Sequence, residues 1–364
     1  MIPCSRHARA GLVLLALLGA QYLASCGGGG GGGPIGFSPP PFSFRTETFV
    51  GGLNFPVTLA FAPDGRLFFN ELTTGRVRII QNGNLLAQPF AELTVETSGE
   101  RGLLGLAFDP QFASNGFVYM LYSDPAGVHR VVRFTEASGQ GTLPVVIVDN
   151  LPSNTVHNGG NIRFGPDGRL YITAGDSGNP ANAQDTNSRA GKILRYNADG
   201  SVPVDNPYGA GNPAFNLGLR NSFDFTFHPT SGAIYASENG PNCDDEINRV
   251  VAAGNYGWRS NQPCGDTDPF FIPPLVRFNP TIAPTGITFY TSGVLSRFQG
   301  SLFMVDFNQG RARRFVVNDA NQGQITDSEV VVDGGFGALF DIVQGPDGFL
   351  YFSSGNAILR IVPN

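Results

Sequence analysis

Charge is scarce in this chain: Asp, Glu, Lys and Arg together make up 14% of 364 residues, and the net charge is −6. Such a balance offers no basic footprint for nucleic acid. Histidine and cysteine occur four times each. Neither residue stands at zinc-ligand spacing from Cys243 and Cys264, the two cysteines of the main body, so a zinc-held scaffold is a poor reading. Long apolar runs are also missing, because the stretch from Gly11 to Leu18 is too short to cross a bilayer. Glycine (49) and proline (27) are plentiful instead. That pattern suits many short strands joined by many turns and argues against a helical protein.

The turns have a recurring phrase. Phe61-Ala62-Pro63-Asp64-Gly65-Arg66-Leu67-Phe68 returns as Phe164-Gly165-Pro166-Asp167-Gly168-Arg169-Leu170-Tyr171 and as Gly345-Pro346-Asp347-Gly348-Phe349-Leu350-Tyr351. Looser copies surround Gly116, Gly232 and Gly300. The six glycines, at 65, 116, 168, 232, 300 and 348, are separated by 51, 52, 64, 68 and 48 residues. Proline sets φ at the first central turn position, Asp-Gly tolerates the next ones, and alternating apolar residues lead into a strand. One four-stranded blade cannot bury its own faces, so six copies at this period predict an all-β, six-bladed propeller. The body is expected over residues 45–364. Thr46 to Val50 is expected to complete the last blade beside the strand at 357–362, which removes the open edges of the ring.

Most blades are expected to end in an outward strand. These are Gly75-Arg76-Val77-Arg78-Ile79, Arg130 to Phe134, Lys192 to Tyr196, Glu246 to Val250 and Ala312 to Val316. Their arginines read most simply as solvated. Long inserts are expected at 176–217 and 254–283, and propellers bind ligands on the face where such loops gather.

The first 26 residues read as an address. Arg6 and Arg9 precede the apolar stretch, and Leu23-Ala24-Ser25-Cys26 resembles a bacterial lipobox with Cys26 as the lipidated residue. The alternative is an ordinary signal peptide with a chance cysteine. Gly27 to Gly33 and a Pro-rich run then make a tether over residues 27–44. The expected location is the bacterial cell envelope, facing the periplasm or the exterior, with membrane contact only through the lipid. In that compartment Cys243 and Cys264 are expected to pair as a disulfide, closing a loop worth roughly 3 kcal/mol in the chain-entropy model. Free thiols and a metal pair are the alternatives.

His157 precedes Asn158-Gly159-Gly160, which leads into the innermost strand of blade three. Glycines there let a backbone approach a ligand, and a histidine beside them can serve as general base. The competing reading is a structural histidine in a turn, the reading preferred for His129 and His228. Gly240-Pro241-Asn242-Cys243-Asp244-Asp245-Glu246 offers carboxylate and carbonyl oxygens to a hard cation such as Ca²⁺. A solvated acidic turn is the alternative.

The ordered set Glu100 to Phe108, His157-Asn158-Gly159-Gly160, Gly175-Asp176, Gly191 to Arg195, Gly218-Leu219-Arg220-Asn221, Glu238 to Pro241 and Gly254-Asn255-Tyr256-Gly257-Trp258 resembles the soluble pyrroloquinoline-quinone (PQQ)-dependent glucose/sorbosone (aldose sugar) dehydrogenase family. The resemblance implies a six-bladed propeller that oxidises an aldose or related polyol and passes electrons to an acceptor. By motif, His157 matches the base, and Arg220 and Asn221 match the groups on the quinone. The carbonyls of Gly240 and Pro241 match ligands of one Ca²⁺, and Glu246 and the Tyr256 carbonyl match a second.

The chain also departs from the pattern. Glu100 stands where glucose dehydrogenases of the family usually have Gln, and Val156 where they have Asp. Asn308 and Ala338-Leu339-Phe340 occupy the places of the Lys and the Arg-x-Arg that hold the quinone's carboxylates. Arg163, Arg311 and Arg313 are the candidate replacements. The alternative function is a calcium-binding propeller that recognises glycan or protein without catalysis. A third reading is an enzyme with a different cofactor in the same channel.

Overall fold

Residues 43–364 are described by a computed structural model. The leader, most of the tether and the lipidation expected at Cys26 lie outside them. Six antiparallel sheets follow one another around a ring. Blade one contains Pro56–Phe61, Leu67–Glu71 and Arg76–Gln81, with the short Asn84–Leu85 and Ala91–Glu92 at its rim. Blade two contains Leu103–Phe108, Phe117–Ser123, His129–Ala137 and Gln140–Leu151. Blade three has Ile162–Phe164, Leu170–Ala174 and Lys192–Tyr196, and the run 213–215 bonds its outer edge in place of a fourth strand. Blades four and five are Ser222–Phe227, Ile234–Glu238, Asp245–Val250, Val276–Phe278 and Pro284–Phe289, Leu302–Asp306, Arg311–Asn318, Gln324–Asp333. Blade six joins Leu339–Gln344, Leu350–Ser354 and Ala357–Pro363 to Phe44–Gly51, so the N-terminal strand closes the ring.

The repeated phrase forms the first hairpin of each blade, and its chemistry is local. Asp64, Asp167 and Asp347 each accept the backbone N–H two residues ahead. All six phrase glycines have φ between 65° and 88°. The tyrosines that end two copies return a hydrogen bond, Tyr171 to Asp167 and Tyr351 to Asp347. Beyond the turn, strand alternation sends successive side chains to opposite faces. Phe68 joins the core shared with blade two, whereas Leu67 and Phe69 join the one shared with blade six. Six apolar clusters result, one at each blade interface.

Two expectations need correction. The strands expected to lie outermost are the third of their blades, because a further, more exposed strand or bonded run lies beyond them. Their arginines are therefore engaged rather than solvated: Arg78 pairs with Glu71, Arg195 with Asp167 and Asp205, Arg249 with Asp319, Arg313 with Asp306 and Arg314 with Glu329. The inserts are also shorter than expected, since Lys192–Tyr196 interrupts 176–217 and Val276–Phe278 interrupts 254–283.

The innermost strands surround a central channel whose floor is ionic. Arg163 reaches both oxygens of Asp224, at 3.2 and 2.8 Å, and stands 4.0 Å from Asp341. Asp224 also accepts from the Asn161 side chain and the Ile287 N–H, which ties blades three, four and five together. Asp341 accepts the Leu59 N–H and so joins blade six to blade one. Removing Asp224 strands a partly buried guanidinium and two donors, which costs up to about 3–5 kcal/mol. Asp224→Ala should lose stability on that scale in urea unfolding followed by far-UV circular dichroism. A loss below about 1 kcal/mol would show that the floor is not an organising contact.

Candidate functional site

The segment before the third innermost strand carries His157 in a left-handed backbone conformation, φ 57°. This is a costly state for a side chain of its size, held only where the surroundings demand it. Gly175 makes it possible from the other side, since a Cβ there would fall 2.1 Å from the His157 carbonyl oxygen. The ring then meets two fixed partners. Nδ1 lies 2.7 Å from Oδ1 of Asp176, and Nε2 lies 2.8 Å from Nη2 of Arg220. A guanidinium only donates, so Nε2 carries the lone pair and Nδ1–H donates to the carboxylate. Asp176 is fully buried, and its second oxygen accepts the indole N–H of Trp258 at 2.7 Å. Arg220 lies over that indole, 5.5 Å from the ring centre, and donates to the Asn239 carbonyl.

Asn221 and Glu100 extend the site. Asn221 accepts the Gly159 N–H at 2.9 Å, and its amide nitrogen is 3.5 Å from Glu100. Glu100 is exposed and accepts the Asn158 N–H at 3.3 Å. A cavity of about 390 Å³ opens here, lined by Glu100, Gly159, Asn221, Asn239 and Thr285 with an apolar wall that includes Phe55, Phe307 and Phe340. Val156, beside the histidine, is exposed.

A smaller hollow adjoins Arg220, lined among others by Glu238, Gly240, Pro241, Asp244, Glu246 and Tyr256. Gly240 is required, because a Cβ would lie 2.1 Å from the Cys243 carbonyl oxygen. The same loop is held by the Cys243–Cys264 disulfide. Glu238 accepts the N–H groups of Arg220 and Asn221 through Oε1, while its buried Oε2 has no hydrogen-bond partner. Burial first, and Glu246 second among the raising influences, push the Glu238 carboxyl up to about 8. Burial likewise raises Glu246 to about 7 against the opposing pull of Asn248 and Arg277.

Seven of the eight residues singled out from sequence for catalysis, cofactor or metal line these two hollows, and the eighth, His157, meets Arg220. The structure adds Asp176, Trp258 and Glu238. Asp176 lay inside the Gly175-Asp176 motif without an assigned role, and nothing in sequence pairs it with a histidine 19 residues earlier. His129 is a buried strand residue rather than a loop one. It donates through Nε2 to the Asn158 side chain that also anchors Asn154, and so steadies the His157 segment. His228 caps its own turn by accepting the Thr230 and Ser231 N–H groups.

Comparison with known proteins agrees with this arrangement. The sequence pattern of the glucose / sorbosone dehydrogenase family matches residues 53–361. The chain belongs to that family. It is 34% identical over 251 residues to quinoprotein glucose dehydrogenase B of Acinetobacter calcoaceticus, a match covering 59% of this chain and 52% of that one. The chain therefore spans about half the length of that relative. Identity to the aldose sugar dehydrogenase YliI of Escherichia coli is 28% over 355 residues, covering 89% of this chain and 94% of that one. The PQQ-bound aldose sugar dehydrogenase of Streptomyces coelicolor superposes with a TM-score of 0.78 at 27% identity, covering 90% of this chain and all of that one (100%). Family membership thus supports the six-bladed reading independently of the turn phrase.

The His129 network has a pH signature. Burial lowers this imidazole from 6.5 to about 4, while Asn158 pulls the other way. The folded state holds His129 neutral where the unfolded chain would protonate it, so its contribution is present above about pH 6.5 and is lost as pH falls toward 4. The difference in unfolding free energy between wild type and His129→Gln should shrink by roughly 3 kcal/mol between pH 7 and pH 4. A difference that stays constant with pH would show that His129 does not titrate with folding.

Proposed function

We propose that this chain oxidises the C1 hydroxyl of an aldose, or the equivalent hydroxyl of a related polyol, at the mouth of the channel. The observation that carries the reading is the His157–Asp176 pair near an open cavity, with the Nε2 lone pair held by an Arg220 N–H that a substrate hydroxyl would displace. A sugar hydroxyl bound against Nε2 gives up its proton to His157 as the hydrogen on the same carbon leaves with the C–H electron pair to a bound quinone-class acceptor, which is reduced by two electrons while the carbon becomes a carbonyl. Asp176 stabilises the imidazolium that forms, and Trp258 keeps Asp176 from turning away. The relatives named as sugar dehydrogenases support the same reaction class.

A hard cation in the smaller hollow belongs to the proposal. The unpartnered oxygen of Glu238, the raised Glu246 and the backbone oxygens of Gly240, Pro241 and Tyr256 suit Ca²⁺, which favours oxygen ligands in irregular geometry. Among the described residues no three acidic, histidine or cysteine side chains converge, so carbonyl oxygens would supply much of the shell. Bound Ca²⁺ would add positive charge next to Arg220, at the end of the site where negative charge grows.

PQQ itself fits only in part. Arg220 and Asn221 suit its two adjacent carbonyls, but its three carboxylates meet no cation in the wide cavity. Asn308 donates to the Thr281 carbonyl, and Phe340 is buried. Arg311 is paired with Asp333, Arg313 with Asp306, and Arg163 with Asp224. The residues do not fit a tightly held tricarboxylate, and no step is drawn through it. The non-catalytic alternative has less support, because a buried carboxylate orienting a histidine is a device for moving a proton.

His157→Asn keeps a residue tolerant of the left-handed backbone and removes the base. Reduction of a redox dye with a panel of aldoses should fall by about 10²–10⁴-fold in this variant, and unchanged turnover would remove the proposed base. Calcium should raise the thermal midpoint of the wild-type protein in scanning fluorimetry, and Glu246→Gln should abolish most of that rise. An equal rise in both would place the ion elsewhere.

A further inference from the structure

The wide cavity has a composition that selects its occupant by charge. Its one ionisable lining side chain is the carboxyl of Glu100, and no lysine or arginine lines it. The Arg163 guanidinium, outside this lining, is committed to two buried carboxyls, Asp224 and Asp341. An anion entering here loses water without gaining a lining cation and meets the Glu100 carboxyl. The wall invites a different ligand. Phe340 packs between two rings, with its centre 4.6 Å from that of Phe55 and 5.7 Å from that of Phe307. Phe307 is 48% exposed, so an aromatic face remains open at the mouth. Val57, Leu72 and Leu104 complete the apolar lining. On the opposite side the Asn221 amide, only loosely engaged with Glu100 at 3.5 Å, faces the same cavity and suits a neutral carbonyl oxygen.

We propose that this cavity takes a planar, uncharged polycyclic quinone in preference to a carboxylated one. Flat rings gain from offset or edge contacts with phenylalanine and from burial of their own apolar surface. Ring carbonyls need only neutral donors, and the site has them. The proposal rests on the reading of this site as an oxidoreductase centre, for which it names the class of electron acceptor.

The chain's single tryptophan, Trp258, lies against Arg220 and serves as the reporter. The purified protein, with calcium present throughout, is titrated with 9,10-phenanthrenequinone and separately with PQQ while indole fluorescence is followed. Saturable quenching by the neutral tricycle should have a Kd at least about tenfold below that of PQQ. Phe340→Arg should reverse the order. Phe307→Lys, at an exposed position that does not threaten folding, should tighten PQQ by about tenfold while leaving the neutral quinone no tighter. Wild-type preference for PQQ, or no change in relative affinity in a folded Phe307→Lys protein, would overturn the proposal. His157→Asn separates the two readings. Turnover retained in that variant, with the binding preference intact, would remove the base and leave the acceptor class standing. Lost turnover with a preference for PQQ would do the reverse.

Discussion

A small antiparallel sheet standing alone has water on both faces, and most of its apolar side chains would gain nothing from folding. Here each blade escapes that condition only through its neighbours, since each of the six apolar clusters is shared by two blades. Mutual coverage works only if the series closes, which makes the pairing of Phe44–Gly51 with Ala357–Pro363 a requirement of the whole ring. The two strands are separated by more than three hundred residues of chain, so closure is a long-range event and its loop entropy must be met by the cores it completes.

Closure also explains why the channel can carry chemistry. Once the interblade cores fix the sheets, the innermost strands are placed to within hydrogen-bonding tolerance, and a few buried polar groups stitch them across blades. Asp224 and Asp341 take backbone N–H groups from neighbouring blades as well as facing Arg163. Burial and the proximity of Asp224 raise Asp341, so the floor favours compensation by a cation and gives no welcome to further negative charge. The loops above this floor inherit its rigidity. A histidine in a left-handed conformation persists because blade three, the Gly175 backbone and the His129–Asn158 contact together leave it no other place.

What was legible in the sequence follows from the range of the interaction concerned. The Pro-Asp-Gly turn is stabilised by groups two to four residues apart, so its copies could be counted, and the blades with them. The ends of blades were less legible. Gln140–Leu151 and Gln324–Asp333 are largely exposed strands with little apolar alternation, and the arginines beside them find acids across strands or from other turns, Arg130 at Asp124 and Asp149 and Arg314 at Glu329. Ion-pair partners of that kind have no spacing rule. The site shows the same division. His157 could be singled out because its glycines are adjacent, and Arg220 with Asn221 through their motif. The roles of Asp176 and Trp258 come from contacts spanning 19 and 82 residues, visible only once the ring is formed.

The scarcity of charge noted at the outset becomes a statement about the channel. The three arginines that could have replaced the missing anchors, Arg163, Arg311 and Arg313, are each committed to a carboxylate, leaving Arg220 as the cation that meets the proposed base. In a family that includes proteins named for a quinone, the proton-handling end and the cofactor-holding end need not change together, because they belong to different blades. His157, Asp176, Arg220 and Trp258 lie in the segments around blades three and four, whereas Phe55, Phe307 and Phe340 come from the connections and strands of blades one, five and six. A ring of separately encoded blades can thus keep one half of a site and rewrite the other without disturbing the cores between them. Aromatic rings on one side, against a histidine–carboxylate pair on the other, are what such independence would produce.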